Sequence, residues 1–223
     1  MYKRVVWDDL ITKELCTEIC NSIPIEIYEI GHGYGGTRHP HTNKELFYGL
    51  DLCTRQISAQ LQGRIWGALM HIRSNIMEWF NLDELWVDFV HLAARQSLVS
   101  RYTPEAQKDE VGMPFHSDTD NGIEQNIYRT HSAILYLNDD FDGGEFVFRE
   151  PDERVEPKAG KVIAFTAGRE NIHGTRLVRS HIRYTLPVWF STYPQIQQVH
   201  ENYAASMTRM SGHFAQPNDH LEK

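Results

Sequence analysis

The sequence predicts a mainly β domain with helices packed outside it, a sandwich or jelly-roll barrel, and three observations carry that prediction. From residue 86 onward, short β-rich runs follow one another: WVDFVHL, QSLVSRY, SAILYLN, GEFVFRE, KVIAFTA, TRLV and IRYTLPVWF. Turn residues separate them, such as those at 138–140 and 142–144. No helical pattern intervenes, and strands that succeed one another in this way close into two packed sheets or a barrel.

The helical signals lie ahead of the β region. Leu10, Ile11, Leu15, Ile19 and Ile23 recur at helical spacing and predict a short amphipathic helix over 10–23. Residues 31–44 are rich in glycine and polar groups and read as a loop, either plain surface or a flap over a pocket. Its His32, His39 and His41 lack Cys or acidic partners, so a metal site there is not expected. Leu52, Ile57, Leu61, Ile65, Leu69, Ile72, Ile76 and Phe80 then predict a long helix over 51–80 that covers one face of a sheet. Gly63 and Gly67 weaken it by about 1 kcal/mol each against Ala, and a bend is expected there. With no internal repeat and no linker, the expectation is one domain over 1–223. Residues 1–85 would be helical support, 86–193 the β core and 194–223 a polar tail with a weak helical signal.

Composition excludes several roles. Forty-one per cent hydrophobic residues support a sizeable core, and the formal net charge of −8 disfavours nucleic acid as a partner, since phosphate contacts need clustered Lys and Arg. The three cysteines, Cys16, Cys20 and Cys53, form no disulfide framework. Cys16 and Cys20 read as buried thiols on one helix face. The N-terminus lacks the apolar stretch of a signal peptide, and no apolar run approaches the roughly 20 residues of a membrane span. A soluble cytoplasmic protein with no membrane partner is therefore expected.

Among 12 histidines, the informative ones sit beside other ligand types. His116-Ser117-Asp118 places an imidazole and a carboxylate on one face if the segment is extended, because residues i and i+2 project together. His173, in ENIHGTRLV, supplies a distal imidazole. Two imidazoles and one carboxylate suit Fe(II) and leave positions open for a chelating co-substrate and O2; zinc accepts similar ligands, so the set alone does not fix the metal. Arg183 follows His173 by ten residues and shares strand parity with Thr185. Its guanidinium offers a rigid fork matched to a carboxylate, and the Thr185 hydroxyl adds a further donor. GGE at 143–145 reads as a hairpin turn needing positive φ rather than as an acidic site, and Pro187 within a strand suggests an edge or a bulge.

H-x-D, a distant His and an Arg ten residues further on resemble the 2-oxoglutarate oxygenases of the prolyl and lysyl hydroxylase type. SAILYLNDDFDGGEFVFRE, PKAGKVIAFTAGRENIHGTRLV and RYTLPVWF are similar to the catalytic domain of the leprecan-type prolyl 3-hydroxylases, and RYTP at 101–104 resembles their tyrosine-bearing strand. The resemblance covers about 98–193. It implies a double-stranded β-helix braced by the long helix. It further implies iron held by His116, Asp118 and His173, and 2-oxoglutarate anchored by Arg183 with Thr185 and Tyr102 in support. Asn171 would take a supporting place near the metal strand. The implied reaction hydroxylates an aliphatic carbon, consumes O2, releases succinate and CO2, and uses ascorbate as reductant; Asp118 speaks against halogenation. A zinc hydrolase and a non-catalytic 2-oxoglutarate sensor are the alternatives. The collagen-modifying members carry a large helical region, a secretory signal, a retention tail and a Cys near the position of Lys158-Ala159-Gly160, none of which this sequence shows. The expected substrate is therefore a prolyl residue in a peptide, or a free amino or imino acid or related small molecule.

Overall fold

The computed structural model describes residues 3–27, 29–30, 45–97, 111–119 and 124–208. The loop at 31–44 with its three histidines, and Tyr102, lie outside the described residues.

Seven antiparallel strands form the larger sheet. They are β1 (Arg4–Trp7), β2 (Glu29–Ile30), β3 (Glu45–Asp51), β4 (Trp86–Ser97), β6 (His131–Tyr136), β10 (Val162–Thr166) and β13 (Ile182–Ser191), in the order β1-β10-β6-β13-β4-β3-β2. Against it stands a four-stranded sheet of β5 (Val111–His116), β8 (Phe146–Phe148), β9 (Glu153–Val155) and β11 (His173–Arg176), in the order β5-β11-β8-β9. A short pair, β7 (Asp142–Gly143) and β12 (Val178–Ser180), joins the rims. This is the predicted two-sheet β fold, a jelly roll with helices outside it.

Alternation along the central strands sorts their side chains into two interiors. On β13, Leu186, Val188 and Phe190 pack into the large core, whereas Arg183, Thr185, Pro187 and Trp189 face the space between the sheets. On β4, Val90, Leu92 and Ala94 enter the same core and His91, Ala93 and Arg95 face inward. A period of two accomplishes this wherever both faces of a strand are covered. A second, aromatic core of Tyr136, Phe146, Phe148, Val155, Ile163 and Phe165 fills the closed end between the sheets.

The large core lies under two helices. α1 (Lys13–Ser22) starts where Thr12 accepts a hydrogen bond from the Leu15 N–H. It buries Cys16 and Ile19, and the two thiols point at the carbonyls of Tyr136 and Leu137. Burial pushes the Cys16 thiol up to about 11 and the Cys20 thiol to about 12, so both are held as unreactive thiols. α2 (Ala59–Phe80) begins eight residues later than its periodicity suggests, because Ser58 caps it by accepting from the Leu61 N–H. Leu52 and Ile57 are buried from the turn ahead of it, which is why they continue the apolar pattern. The helix runs through Gly63 and Gly67 and ends on Asn81 in the left-handed conformation.

Three expectations need correction. The N-terminal third is not only helical support: β1 and β3 are strands of the main sheet, too short or too close to loops for alternation to reveal them. Within 194–223, residues Gln197–Thr208 form a third helix, α3, which packs on α2 and β4; it buries Met207, and its His200 accepts a hydrogen bond from the Val87 N–H. Pro187 is on neither an edge nor a bulge. β13 is central, and its ladder with β4 breaks between Thr185 and Val188, so the missing N–H falls in that gap.

Candidate metal centre and cavity

β5 and β11 pair so that His116 and His173 are direct cross-strand partners. Their ring centroids lie 4.5 Å apart. The close approach of the two backbones depends on Gly174, where a Cβ would meet the Met113 carbonyl at 2.6 Å. β5 ends at His116, so strand parity does not place Asp118; it sits in the following bend, held by its N–H donating to the Ala167 carbonyl. It nevertheless reaches both imidazoles. Asp118 Oδ1 is 3.7 Å from His116 Nε2, and Oδ2 is 3.8 Å from His173 Nε2. Two donors bound at about 2.1 Å to one ion are at most about 4.2 Å apart, so these separations fit a single metal. The three ligand atoms all lie within 4.8 Å of one another.

The neighbours fix the chemistry of these donors. His116 Nδ1 is 2.8 Å from the Pro114 carbonyl and His173 Nδ1 is 2.9 Å from the Asn171 carbonyl. A carbonyl only accepts, so each Nδ1 carries the proton and each Nε2 presents its lone pair to the shared centre. The His173 ring is stacked on Phe146 and flanked by Phe165 and Phe148. Burial there lowers its pKa to about 4 and keeps it neutral, as a ligand must be. Burial alone would raise the Asp118 pKa; positive charge at the His173 and His116 positions, together with the Ser132 hydroxyl, lowers it below its ordinary value. Ser132 Oγ donates to Asp118 Oδ2 at 2.6 Å. The indole N–H of Trp189 is buried outside hydrogen-bonding geometry yet close enough to favour the charged form. An imidazole pair with one ionised carboxylate is the donor set of an Fe(II) facial triad, and the residues fit that ion.

The three ligands open onto a cavity of about 590 Å³, its mouth included. Arg183 and Thr185 line it, 3 % and 4 % exposed, as their shared parity predicts. The Arg183 guanidinium lies 5.1 Å from the Tyr136 ring, and Tyr136 donates to the Gly144 carbonyl. Gly143 and Gly144 adopt φ of 75° and 70°, the positive φ expected of them, but the GGE segment is not a hairpin turn: Gly143 pairs with Val178 on β12, and the segment leads from β7 to β8, which pairs with β11 and β9 instead. Asn171 is buried and acts through its backbone: its side-chain amide donates to Thr166 and to the Lys3 carbonyl, which fixes the carbonyl that faces His173.

The profile of the 2OG-Fe(II) oxygenase superfamily matches residues 98–191, the stretch that holds the three metal donors and Arg183. Prolyl 3-hydroxylase 2 of Mus musculus is 29% identical across 88% of this chain and 31% of its own length. Prolyl 3-hydroxylase 1 of Rattus norvegicus is 28% identical across 93% of this chain and 31% of its own length. The chain thus spans about a third of the length of these curated relatives. A prolyl-4-hydroxylase from Pseudomonas putida superposes with a TM-score of 0.54 at 19% identity, covering 86% of this chain and 94% of that one. A prolyl hydroxylase from Trichoplax adhaerens, solved with a hypoxia inducible factor peptide fragment, superposes with a TM-score of 0.55 at 13% identity, covering 92% and 87%. These superpositions show that the jelly-roll fold is shared.

The sequence does not reveal three residues of this candidate site. Ser132 is the second residue of β6, ahead of an apolar run, and nothing local ties it to Asp118. Arg95 and His91 lie on β4, where inward parity beside Leu92 and Ala94 was the available signal.

Proposed function

We propose that this chain is an Fe(II)- and 2-oxoglutarate-dependent dioxygenase that hydroxylates an aliphatic C–H, with release of succinate and CO2 and with ascorbate as reductant. The substrate class is a prolyl residue or a free amino or imino acid. The supporting observation is the convergence of His116, Asp118 and His173 at one end of a cavity whose lining also contains Arg183 and Thr185.

His116, Asp118 and His173 would hold the metal through two neutral Nε2 atoms and one carboxylate. Iron with 2-oxoglutarate and O2 supplies the oxidising power for attack on an unactivated carbon. The protein orients and shields. Arg183 would take the far carboxylate of 2-oxoglutarate, and its fork, braced against Tyr136, fixes the direction of the co-substrate. Thr185 adds a hydroxyl on the same strand face. Phe146, Phe165 and Phe148 exclude water behind His173 and keep its Nε2 unprotonated. Ser132 holds the Asp118 carboxylate at the angle that faces both imidazoles.

The test is succinate formation by purified protein with Fe(II), ascorbate and 2-oxoglutarate, across prolyl peptides and free amino and imino acids. The expected result is succinate that rises with one substrate, a product one oxygen heavier, and loss of both in Asp118→Ala. Binding of 2-oxoglutarate without turnover would instead identify a sensor. Tight zinc with no dependence on Arg183 would identify a hydrolase.

A further inference from the structure

Asn138 is a turn residue by sequence, yet its side chain is built into the sheet beside Arg183. The ladder between β6 and β13 ends at the pair Tyr136 and Thr185. One residue further, the Leu137 N–H still donates to the Tyr184 carbonyl at 3.0 Å. In a regular antiparallel pair the return bond runs from the Tyr184 N–H to the Leu137 carbonyl. That carbonyl faces α1 instead, where the Cys20 Sγ lies 3.7 Å away. The Asn138 amide continues the pairing in place of the departing backbone. Its Oδ1 accepts from the Tyr184 N–H at 2.7 Å, and its Nδ2 donates to the Ile182 carbonyl at 2.7 Å. The same Nδ2 donates to Asp140 Oδ1 at 2.6 Å. A primary amide carries two N–H donors and an acceptor oxygen, so this set fixes which way it faces.

The two peptide groups held in this way are the ones that flank Arg183. The Ile182 carbonyl belongs to the peptide before it, and the Tyr184 N–H to the peptide after it. Peptide planes are rigid, so fixing both fixes the direction in which the Arg183 side chain leaves the backbone. Arg183 stands where such a hold matters. β13 begins at Ile182, directly after His181 with its φ of 57°, and Arg183 is the second residue of the strand. On the other side β4 pairs with the same stretch, with Ile182, Arg183 and Tyr184 opposite Gln96, Arg95 and Ala94. Removing the Asn138 amide therefore leaves the strand paired on one side, and loosens the aim of Arg183 more than the fold.

We propose that Asn138 is a positioning residue for Arg183, clamping the peptide groups on either side of it so that the guanidinium meets the far carboxylate of 2-oxoglutarate. This rests on the oxygenase reading above, and within it on Arg183 as the anchor. Asn138 is not among the residues that line the cavity, so its effect on the co-substrate passes through the strand.

Equilibrium dialysis of the full chain loaded with Mn(II) tests the assignment without turnover. The ligands are 2-oxoglutarate and 2-oxopentanoate, which keeps the chelating 2-oxo acid and lacks the far carboxylate. Asn138→Ala should weaken 2-oxoglutarate about tenfold or more. It should leave the affinities for 2-oxopentanoate and for Mn(II) at their wild-type values. Arg183→Met should weaken 2-oxoglutarate at least as far, and adding Asn138→Ala to it should cost nothing more, since both act on one contact. A residue that merely supports the structure would weaken all three ligands together; Mn(II) supplies that comparison even where 2-oxopentanoate binds too weakly to measure. Asn138→Asp keeps the shape and the acceptor for Tyr184 but cannot donate to Ile182. It should show the same selectivity with a smaller loss, and it carries the test if the Ala variant does not fold. Unchanged 2-oxoglutarate affinity in the folded variant, an equal loss of 2-oxoglutarate and Mn(II), or additive losses in the double variant overturns the assignment. Each of these leaves 2-oxoglutarate binding by the wild-type protein, and with it the oxygenase reading, standing. Failure of the wild-type protein to bind 2-oxoglutarate removes both.

Discussion

His116 and His173 stand opposite each other on neighbouring antiparallel strands, and that register brings their Nε2 atoms to one carboxylate. Both rings are locked from behind by backbone carbonyls, so the donors are arranged before any ion arrives. Metal should therefore stabilise the fold strongly. At 100 times its dissociation constant a bound ion adds about 2.7 kcal/mol, read as a rise in Tm. Mn(II) or Fe(II) should raise the Tm of the wild-type protein and leave those of Asp118→Ala and His173→Ala unchanged.

Ser132 is the hydroxyl that sets Asp118. Its Oγ lies 2.6 Å from Oδ2 in a buried setting, and it helps hold the carboxyl ionised. Ser132→Ala removes that donor without disturbing the strand, since Ala is accepted beside Ala133. Mn(II) affinity, measured by dialysis, should fall by about 10- to 100-fold, the usual cost of losing an outer partner of a ligand. Ser132→Thr, which keeps the hydroxyl, should restore much of it.

The fold and the principal candidate site residues are legible in the sequence for different reasons. The β runs and α2 announce themselves by periodicity, because a buried strand or helix must repeat its apolar face. The metal donors were legible because a carboxylate next to a histidine, with another histidine and an arginine at fixed distances, forms a pattern in one dimension. What makes them a site is two-dimensional. The pairing of β5 with β11 cannot be read from either strand, and the bend that turns Asp118 inward follows the strand rather than belonging to it. Arg95 was missed for the same reason. Its meaning comes from lying opposite Arg183 and Phe47 on two flanking strands.

Gly144 shapes the Arg183 end of the cavity. It has φ of 70°, and a Cβ there would lie 2.8 Å from Cδ of Arg183 and 3.0 Å from the Phe141 ring. Gly144→Ala must strain the backbone there, at roughly 1–3 kcal/mol, and push the Arg183 stem aside. The expected signature is a KM for 2-oxoglutarate raised about tenfold or more, with metal affinity unchanged because the three donors lie elsewhere. Equal weakening of Mn(II) and 2-oxoglutarate would show that this segment supports the whole site instead.

His131 makes stability depend on pH outside the metal centre. It is 6 % exposed, packs edge-on against Phe80 at 5.0 Å between ring centroids, and lies 2.9 Å from the Thr130 hydroxyl. Burial lowers its pKa to about 4; Lys3 adds to the effect and Glu170 opposes it. The unfolded chain accepts a proton on this ring near pH 6.5, whereas the folded chain resists until about pH 4. Between those values the unfolded state binds more protons, so stability rises with pH across the window and falls on acidification. The contribution is complete above pH 6.5 and diminishes toward pH 4, to a total of about 3 kcal/mol. In chelator-treated protein, His131→Gln should lower Tm at neutral pH by loss of packing yet flatten its decline between pH 6.5 and 4. An unchanged slope would mean that the ring is protonated in the folded state and that its burial carries no such penalty.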